Sequence, residues 1–283
     1  MKMVAASRLR RAQGLISKSE FYNNNLLASA SRLLLEIREE EAVTGKKIEL
    51  PKLMSGTGKN ENYLLIVFTS DRGLCGSFNA SVAKEAARRI EELKAAGKNV
   101  KVFCIGKKGR DILKRNYADL IVATKEGIGQ KGAKYYEATD IAYPIMDYYL
   151  KGEIDVCEVV ISHFRSAINR EVMVGPLLPV QVESFEYNKL HVPQNVVRGA
   201  YYDYEPDKLR ILEGILPLIF RSSIFQAIVH AQASEHGARM TSMDNATRNA
   251  TDMISKLTLK YNRIRQTAIT TELIEIISGA EAL

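Results

Sequence analysis

The sequence predicts an α/β protein in which the N- and C-terminal helices form a long antiparallel coiled coil beside a Rossmann-like domain with a mainly parallel sheet. Three observations predict this fold class. Both ends of the chain carry long heptad patterns, strands alternate with helices in the middle, and the composition is that of a folded protein with a sizeable core. Of the 283 residues, 46% are hydrophobic and 26% are charged.

The N-terminal helix is predicted over residues 1–45. No proline occurs between Val4 and Val43, and small or apolar residues recur in alternating steps of four and three, as in the seam of a coiled coil. These seam residues are Ala5, Leu9, Ala12, Ile16, Ser19, Asn23, Leu26, Ala30, Leu33 and Ile37. Gly45 is expected to end the helix.

Residues 60–185 are predicted to form the α/β domain. The run YLLIVFT at Tyr63–Thr69 has the length and composition of a buried strand. Further strands are predicted at Asn99–Ile105, Leu120–Ala123, Val156–Phe164 and Glu171–Val180, and helices at Ser77–Ala96, around Asp111 and at Ala133–Leu150. Strands that alternate with helices predict a mainly parallel sheet, and a hairpin through Ala167-Ile168-Asn169 would add one antiparallel strand.

The C-terminal helix is predicted over residues 207–283. Pro206 suits a first helical turn, and Pro217 is expected to kink or interrupt the helix. A second heptad seam follows at Val229, Ala233, His236, Met240, Met243, Thr247, Ala250, Ile254, Leu257, Tyr261, Ile264 and Ala268. A helix over residues 207–278 would be about 105 Å long, too long for a globular core to bury.

The two seams are predicted to face each other. Because a compact domain has its two ends close together, both helices can leave it on the same side and must then run antiparallel. We expect a register that brings Ile16 near Ile254.

Metal, disulfide and membrane roles are not predicted. The three cysteines are scattered, the four histidines are dispersed, and neither set has the spacing of a zinc site. His236 is interpreted as a satisfied histidine in the coiled-coil seam. No apolar run approaches the roughly 20 residues that cross a bilayer, so no direct membrane insertion is expected.

A glycine motif leaves an enzyme interpretation open. Gly127, Gly129 and Gly132 match the G-x-G-x-x-G fingerprint of dinucleotide-binding proteins and precede a predicted helix. The alternative function would be a dinucleotide-binding oxidoreductase. Against it, the preceding strand is weak and a three-residue spacer separates it from the glycines. The loop at Thr69–Gly76 and the segment Gly56–Lys59 are incomplete phosphate loops.

The charge pattern predicts an acidic partner. The net charge is +7, and the region from Arg239 to Arg265 contains six basic and two acidic residues. The first nineteen residues are also basic and contain no acid. We expect both patches at the far end of the coiled coil, away from the domain. A nucleic-acid-binding coiled coil is a second alternative, although the basic face lacks interleaved aromatic residues.

The sequence resembles the gamma subunit of the F-type (rotary) ATP synthase. The likeness lies in five segments that follow one another along nearly the whole chain, and the tail carries the strongest match. They are MKMVAAS with LRRAQ from Met1, TSDRGLCG at Thr69–Gly76, YEP at Tyr204–Pro206, SEH with ARM at Ser234–Met240, and the tail from Tyr261 to Ala280 with YNR, RQ, ITTEL, EI and SGA.

The resemblance implies a central rotor shaft that couples proton flow through a membrane ring to ATP synthesis in surrounding catalytic subunits. The implied chain is not an enzyme and needs no cofactor or metal. Its partners would be the alpha and beta ring subunits, the epsilon subunit and the membrane c-ring, without nucleic acid. It would lie peripherally on the cytoplasmic face of a bacterial plasma membrane.

The resemblance also implies contact residues. Those that match family contacts with loops of the surrounding ring are Arg239, Arg265, Gln266, Thr270 and Glu272. Those that match the apolar end turning in its bearing are Leu273, Ile276 and Ile277. Those expected to meet the epsilon subunit and c-ring are Tyr202, Tyr204 and Glu205, while Met1 and Lys2 are further expected partner contacts. Family chains normally begin several helical turns before Met1, and the regulatory cysteine pair of chloroplast relatives is absent.

Overall fold

The computed structural model describes residues 1–130, 132–167, 169–182 and 203–281. Its helices are α1 (Lys2–Thr44), α2 (Lys52–Ser55), α3 (Phe78–Ala95), α4 (Lys107–Tyr117), α5 (Tyr135–Leu150) and α6 (Lys208–Glu281). Its strands are β1 (Asn62–Phe68), β2 (Asn99–Ile105), β3 (Ile121–Lys125), β4 (Val156–Phe164) and β5 (Arg170–Leu178).

The five strands form one sheet in the order β3-β2-β1-β4-β5. The pairs β1–β2, β1–β4 and β2–β3 are parallel, and only β4–β5 is antiparallel. Six of the seven residues of β1 are buried, as expected for a central parallel strand covered on both faces. The predicted Rossmann-like fold with its long terminal helices is confirmed. The predicted turn between β4 and β5 includes Ile168, which lies outside the described residues.

The sheet and the coiled coil share one core. On one face of the sheet, Leu65 and Val67 pack with α3 residues such as Val82 and Ile90. On the other face, the core joins residues of four elements. These are Ala30, Leu33 and Ile37 of α1, Ile66 and Phe68 of β1, Ile141 and Ile145 of α5, and Leu212, Leu216 and Phe220 of α6. The coiled coil is therefore fixed to the domain by continuous packing along this part of its length.

The register between α1 and α6 is set by polar contacts at three levels. At one end, Lys208 lies 3.3 Å from Glu40. Midway, the side-chain amide of Gln226 donates to the carbonyl of Ser19 over 3.2 Å. At the other end, Lys2 pairs with Asp244. The two helices are antiparallel, as the sequence analysis expects.

The predicted neighbourhood of Ile16 is wrong. Ile16 packs in a cluster with Val229 and Ala233, whereas Ile254 lies about 37 Å further along α6 than Val229. The error arises because every turn of a heptad seam carries similar residues. The pattern therefore indicates which residues face the partner helix, but not which residue of that helix lies opposite each of them.

Helix α6 is continuous through Pro217. The structure thus has no break at Pro217, whereas the alternative expectation of a kink stays a prediction. Proline has no backbone N–H, so the helix lacks one backbone hydrogen bond at Pro217. The buried side chains of Leu216 and Phe220, on either side of Pro217, supply packing that stabilises the helix there.

One window within α6 is long and apolar enough to cross a membrane by composition, and 44% of it is buried in the structure. The search for an uninterrupted apolar run misses such a window, because the window accommodates up to two charged residues. Leu212, Leu216 and Phe220 of α6 are fully buried among residues of the sheet, α1 and α5. The apolar composition of this window is therefore that of a helix in the core of a globular protein.

Candidate interaction surface

The C-terminal half of α6 has no covering element in the described part of the chain. We call residues 245–280 the projecting segment, because every one of its side chains is exposed. Ile254 is 65% exposed and Ile276 is 67% exposed. Large apolar side chains are seldom exposed at so many successive turns of one helix. Contiguous exposed apolar surface of this kind marks interaction sites.

The projecting segment is arranged in two faces. At 100° per residue, Arg248, Lys256, Lys260 and Arg263 fall on one side of the helix. The heptad seam from Ala250 to Ala268 falls roughly opposite. The division is partial, since Asp252 and Leu259 lie among these basic residues and Arg265 lies beside the seam.

Hydroxyl side chains of the projecting segment bond to its own backbone. Thr270 donates to the carbonyl of Gln266 over 2.9 Å, and Thr258 donates to that of Ile254 over 2.9 Å. The same contact to the residue four positions earlier is made by Thr247, Thr251, Ser255, Thr267, Thr271 and Ser278. Each of these hydroxyls has donated its hydrogen to the helix, so it offers a partner only an acceptor oxygen, beside the ammonium, guanidinium, carboxylate and amide groups of the segment.

Most of the predicted contact residues lie on the projecting segment. They are Arg265, Gln266, Thr270, Glu272, Leu273, Ile276 and Ile277, and all are exposed. The structure brings them together along about three turns of one helix. It does not bring them near the domain.

Arg239 lies elsewhere. Its guanidinium is 2.7 Å from Glu235 and donates to the carbonyl of Gly73 over 3.2 Å. Arg265 is about 39 Å further along the helix. The expectation that both basic patches share the far end of the coil is wrong for Arg239 and for the start of α1, because both lie beside the loop that follows β1.

A cavity of about 500 Å³ opens where α1 and α6 cross the carboxyl ends of the parallel strands. Met1 and Arg8 of α1 line it from one side and Glu235, His236 and Arg239 of α6 from another. Lys2 lies at the same end of α1, paired with Asp244. In Rossmann-like sheets, this edge is where nucleotides bind.

The glycine motif at this edge is closed to a phosphate. The N–H of Gly127 donates to Asp71 over 2.9 Å, and the N–H of Gly129 donates to Glu137 over 2.9 Å. A Cβ atom on residue 129 would overlap the side-chain amide of Gln232. Two carboxylates thus accept the hydrogen bonds that these backbone amides would otherwise donate to a pyrophosphate, and α6 covers the loop. The structure therefore does not support the dinucleotide interpretation.

Buried polar groups surround Arg239. Burial raises the pKa of Glu235, and the neighbouring Arg239 and Arg8 act in the opposite direction. The pKa of His236 is lowered to about 4, mainly by burial and in addition by the positive charges of the same two arginines. The Nδ1 atom of His236 is buried without a hydrogen-bond partner among the described residues, so the interpretation of His236 as a satisfied histidine is wrong for that atom.

The cysteines of this region are not poised as nucleophiles. All three are buried and unpaired. Burial raises the pKa of Cys104 to about 11, and Cys75 packs with Phe78 and Ala238 and contacts Ser70, Asn79 and a backbone carbonyl. A thiol whose pKa is raised by burial is a poor nucleophile near pH 7, which applies to Cys104 and Cys157.

The remaining predicted contacts lie at the opposite end of the coil. Tyr204 donates its hydroxyl to Glu36 over 2.8 Å, which ties the start of α6 to α1. Glu205 is exposed. Tyr202 lies outside the described residues. Sequence reasoning did not find Asp71, Glu137 or Gln232, since no local pattern distinguishes a carboxylate or amide that closes a distant loop.

Comparison with known proteins agrees with this architecture. Residues 1–283 match a family described as ATP synthase. The chain is 44% identical over 283 residues to the ATP synthase gamma chain of Rhizobium leguminosarum bv. trifolii, covering 100% of this chain and 92% of that one. It is 45% identical, with the same two coverages, to the ATP synthase gamma chain of Maricaulis maris.

Solved structures show the same fold. The central stalk and c-ring structure of Tetrahymena thermophila mitochondrial ATP synthase contains a chain with 25% identity and a TM-score of 0.62, covering 87% of this chain and 97% of that one. A chain of Euglena gracilis mitochondrial ATP synthase has 17% identity and a TM-score of 0.56, covering 98% and 95%. None of these matches supports the oxidoreductase or nucleic-acid alternatives, and the chain belongs to the ATP synthase gamma chain family.

Proposed function

We propose that this chain is the central rotor shaft of an F-type ATP synthase, which couples proton flow through a membrane ring to ATP synthesis in surrounding subunits. One observation carries the proposal: a single helix of 74 residues is packed into a core along its first half and bare along its second. The bare half is about 54 Å long. A lever of this kind transmits force only if one end is held firmly.

The firm end is the packed half of α6. Fully buried Leu216, Phe220 and Ile224 are enclosed by the sheet, α1 and α5. Burial of each such side chain contributes roughly 1.5–3 kcal/mol. Rotation of α6 against the domain would break this packing, so the domain and the projecting segment turn together.

The working end is the projecting segment. Arg248, Lys256, Lys260 and Arg263 lie away from the heptad seam between Ala250 and Ala268, so each orientation presents different side chains to the enclosing alpha and beta subunits. We propose that Arg265, Gln266, Thr270 and Glu272 bond to loops of that ring. Leu273, Ile276 and Ile277 would form the apolar end that turns within it.

The other partners would meet the opposite end and the domain. We propose that Tyr202, Tyr204 and Glu205 face the epsilon subunit and the membrane c-ring, and that Met1, Lys2 and Arg239 contribute a contact where the coil leaves the domain. The chain would be built in three parts, residues 1–45, 60–185 and 207–283.

The chain itself would be non-catalytic and would bind neither cofactor nor nucleic acid. Catalysis would then belong to the ring subunits. Because the relatives named above include bacterial chains, we place the protein peripherally on the cytoplasmic face of a bacterial plasma membrane.

The test uses reconstituted complexes that carry Arg265→Ala and Gln266→Ala together. Hydrogen bonds to charged groups are worth about 1.5–3 kcal/mol when enclosed, against about 0–1 kcal/mol for exposed pairs. We expect the double variant to assemble and to lose at least about tenfold in proton-driven ATP synthesis. Arg88→Ala is the matched control, since Arg88 is an exposed arginine on α3, away from the shaft. Normal synthesis in the double variant would show that force passes elsewhere.

A further inference from the structure

Three elements bring two histidines and a glutamate together, although these residues are far apart in the sequence. Glu20 comes from α1, His163 from β4 and His230 from α6, and one polar atom of each lies within 4.8 Å of the other two. The two imidazole rings stack with centroids 4.2 Å apart and planes inclined by 21°. The stacked pair therefore lies at the junction between the coiled coil and the sheet.

The two ring nitrogens of His230 have different surroundings. The Nε2 atom is 3.4 Å from the Oε1 atom of Glu20, whereas the Nδ1 atom is buried and has no hydrogen-bond partner among the described residues. A neutral ring suits this arrangement with its one proton on Nε2, beside the carboxylate. A charged ring would carry a second proton on Nδ1, and a buried donor without an acceptor destabilises the folded state.

The surroundings of the pair also disfavour a positive charge. His230 is 5% exposed, and its pKa is lowered to about 4, mainly by burial and in addition by His163. The pKa of His163 is lowered first by burial and then by Arg165, against opposing effects of Glu20 and Glu171. Arg165 and Glu171 lie 2.8 Å apart beside the end of β4, so they largely offset each other. Both rings are therefore neutral near pH 7.

We propose that the stacked pair of His163 and His230 is an acid-sensitive latch between α6 and the sheet. While the junction is closed, both rings are held neutral. When α6 moves away from β4, the rings meet water and regain an ordinary pKa of about 6.5. The open junction then binds more protons below that pH, so acid favours opening.

The latch lies beside a second contact between the same two elements. The hydroxyl of Ser234 on α6 donates to the carbonyl of Ser162 on β4 over 2.7 Å, and both residues are buried. Separation of α6 from β4 would break this hydrogen bond together with the stack. The latch belongs to the packed half of α6, and its action does not depend on the proposed rotor function.

The alternative is an ion pair between Glu20 and a charged His230. An ion pair would raise the pKa of the histidine, so its contribution would grow as the pH falls and the junction would become tighter in acid. The side chain of Glu20 is 45% exposed, and water screens the charge of such a group. The latch and the ion pair thus predict opposite effects of acid.

The experiment measures hydrogen exchange of the full chain at pH 7 and pH 5, corrected for the exchange rates of an unstructured peptide at each pH. The amides of residues 159–164 and 227–234 report the junction. Those of residues 99–105 in β2 are the internal reference, because β1 separates β2 from β4. We expect protection at the junction to fall at least tenfold more than protection in β2. A rise at the junction, or an equal change in both regions, would overturn the proposal.

Three variants sharpen the test. His230→Gln has no titrating ring and should abolish the excess loss of protection at the junction. Glu20→Gln should keep that loss, because the carboxylate is not the group that takes up the proton. His236→Gln is the matched control and should also keep it, since His236 is buried on the same helix with an unpartnered Nδ1 atom, about 9 Å further along.

The outcomes remain decisive if His230→Gln fails to fold, because the sign of the effect in the unaltered chain and its persistence in Glu20→Gln do not use that variant. Loss of the acid effect in Glu20→Gln would favour the ion pair and overturn the latch. Loss of the effect in His236→Gln to the same extent as in His230→Gln would do so too, since the stacked pair would then not be its source.

Discussion

The two halves of α6 carry the same kind of sequence in opposite surroundings. Residues 208–244 pack against α1, α5 and the sheet, whereas residues 245–280 are exposed throughout. Both halves carry apolar residues at heptad spacing. The difference teaches that a heptad seam shows that a helix has an apolar face, but not which element or partner covers that face.

The difference also separates two roles for similar residues. In the packed half, an apolar side chain stabilises the folded chain. In the projecting segment, the same side chain adds little to folding and remains available to a partner. Substitutions in the two halves should therefore affect different measurements.

The largest expected effect comes from a matched pair of leucines on α6. Leu216 is fully buried and Leu257 is 59% exposed. Leu216→Ala should lower the free energy of unfolding by about 2–5 kcal/mol through the cavity it leaves, and Leu257→Ala should change it by less than about 0.5 kcal/mol. Urea denaturation of both variants measures the contrast. Equal losses would mean that the projecting segment is packed in solution.

A smaller effect is expected from pH, through His236 in the packed half. Its pKa is about 4 in the folded chain and about 6.5 when unfolded. Between these values the unfolded chain binds more protons, so stability falls as pH decreases from about 6.5 towards 4. From pH 7 to pH 5 this group should account for roughly 2 kcal/mol.

The check is the pH dependence of urea unfolding in the His236→Gln variant. Gln has no titrating ring, so the variant should lose less stability than the unaltered chain over the same interval. Arg239 and Arg8, which both lower the pKa of His236, remain in place in this comparison. An unchanged slope would show that the His236 ring is solvated and titrates normally.

Much of the fold follows from local sequence patterns. The boundaries of β2 and β4 coincide with the predicted strands, because short apolar runs between turn residues leave little choice. The antiparallel coil also follows, since one compact domain lies between its two helices. The strands depend on residues that are close in sequence, and the direction of the coil depends only on the order of the elements along the chain.

The rest depends on contacts between distant residues. Neighbouring turns of a heptad seam are alike, so the contact between Lys2 and Asp244 could not be located in advance. The same holds for Gln232, which covers the glycine loop. The approach of Glu20 to His230 has no local signal either. The contact residues predicted on the projecting segment came from the family resemblance, since no other described element of the chain covers them.

Hydrogen exchange along α6 tests the central claim most directly, with the full chain measured alone and within the assembled ATP synthase complex. Packing predicts slow exchange of the amides of residues 208–244 in both samples, because their opening requires the core to open. The amides of residues 245–280 should exchange rapidly in the isolated chain and slowly in the complex. Equal exchange of the projecting segment in the two samples would contradict the account, since it would show that no partner encloses this half of the helix.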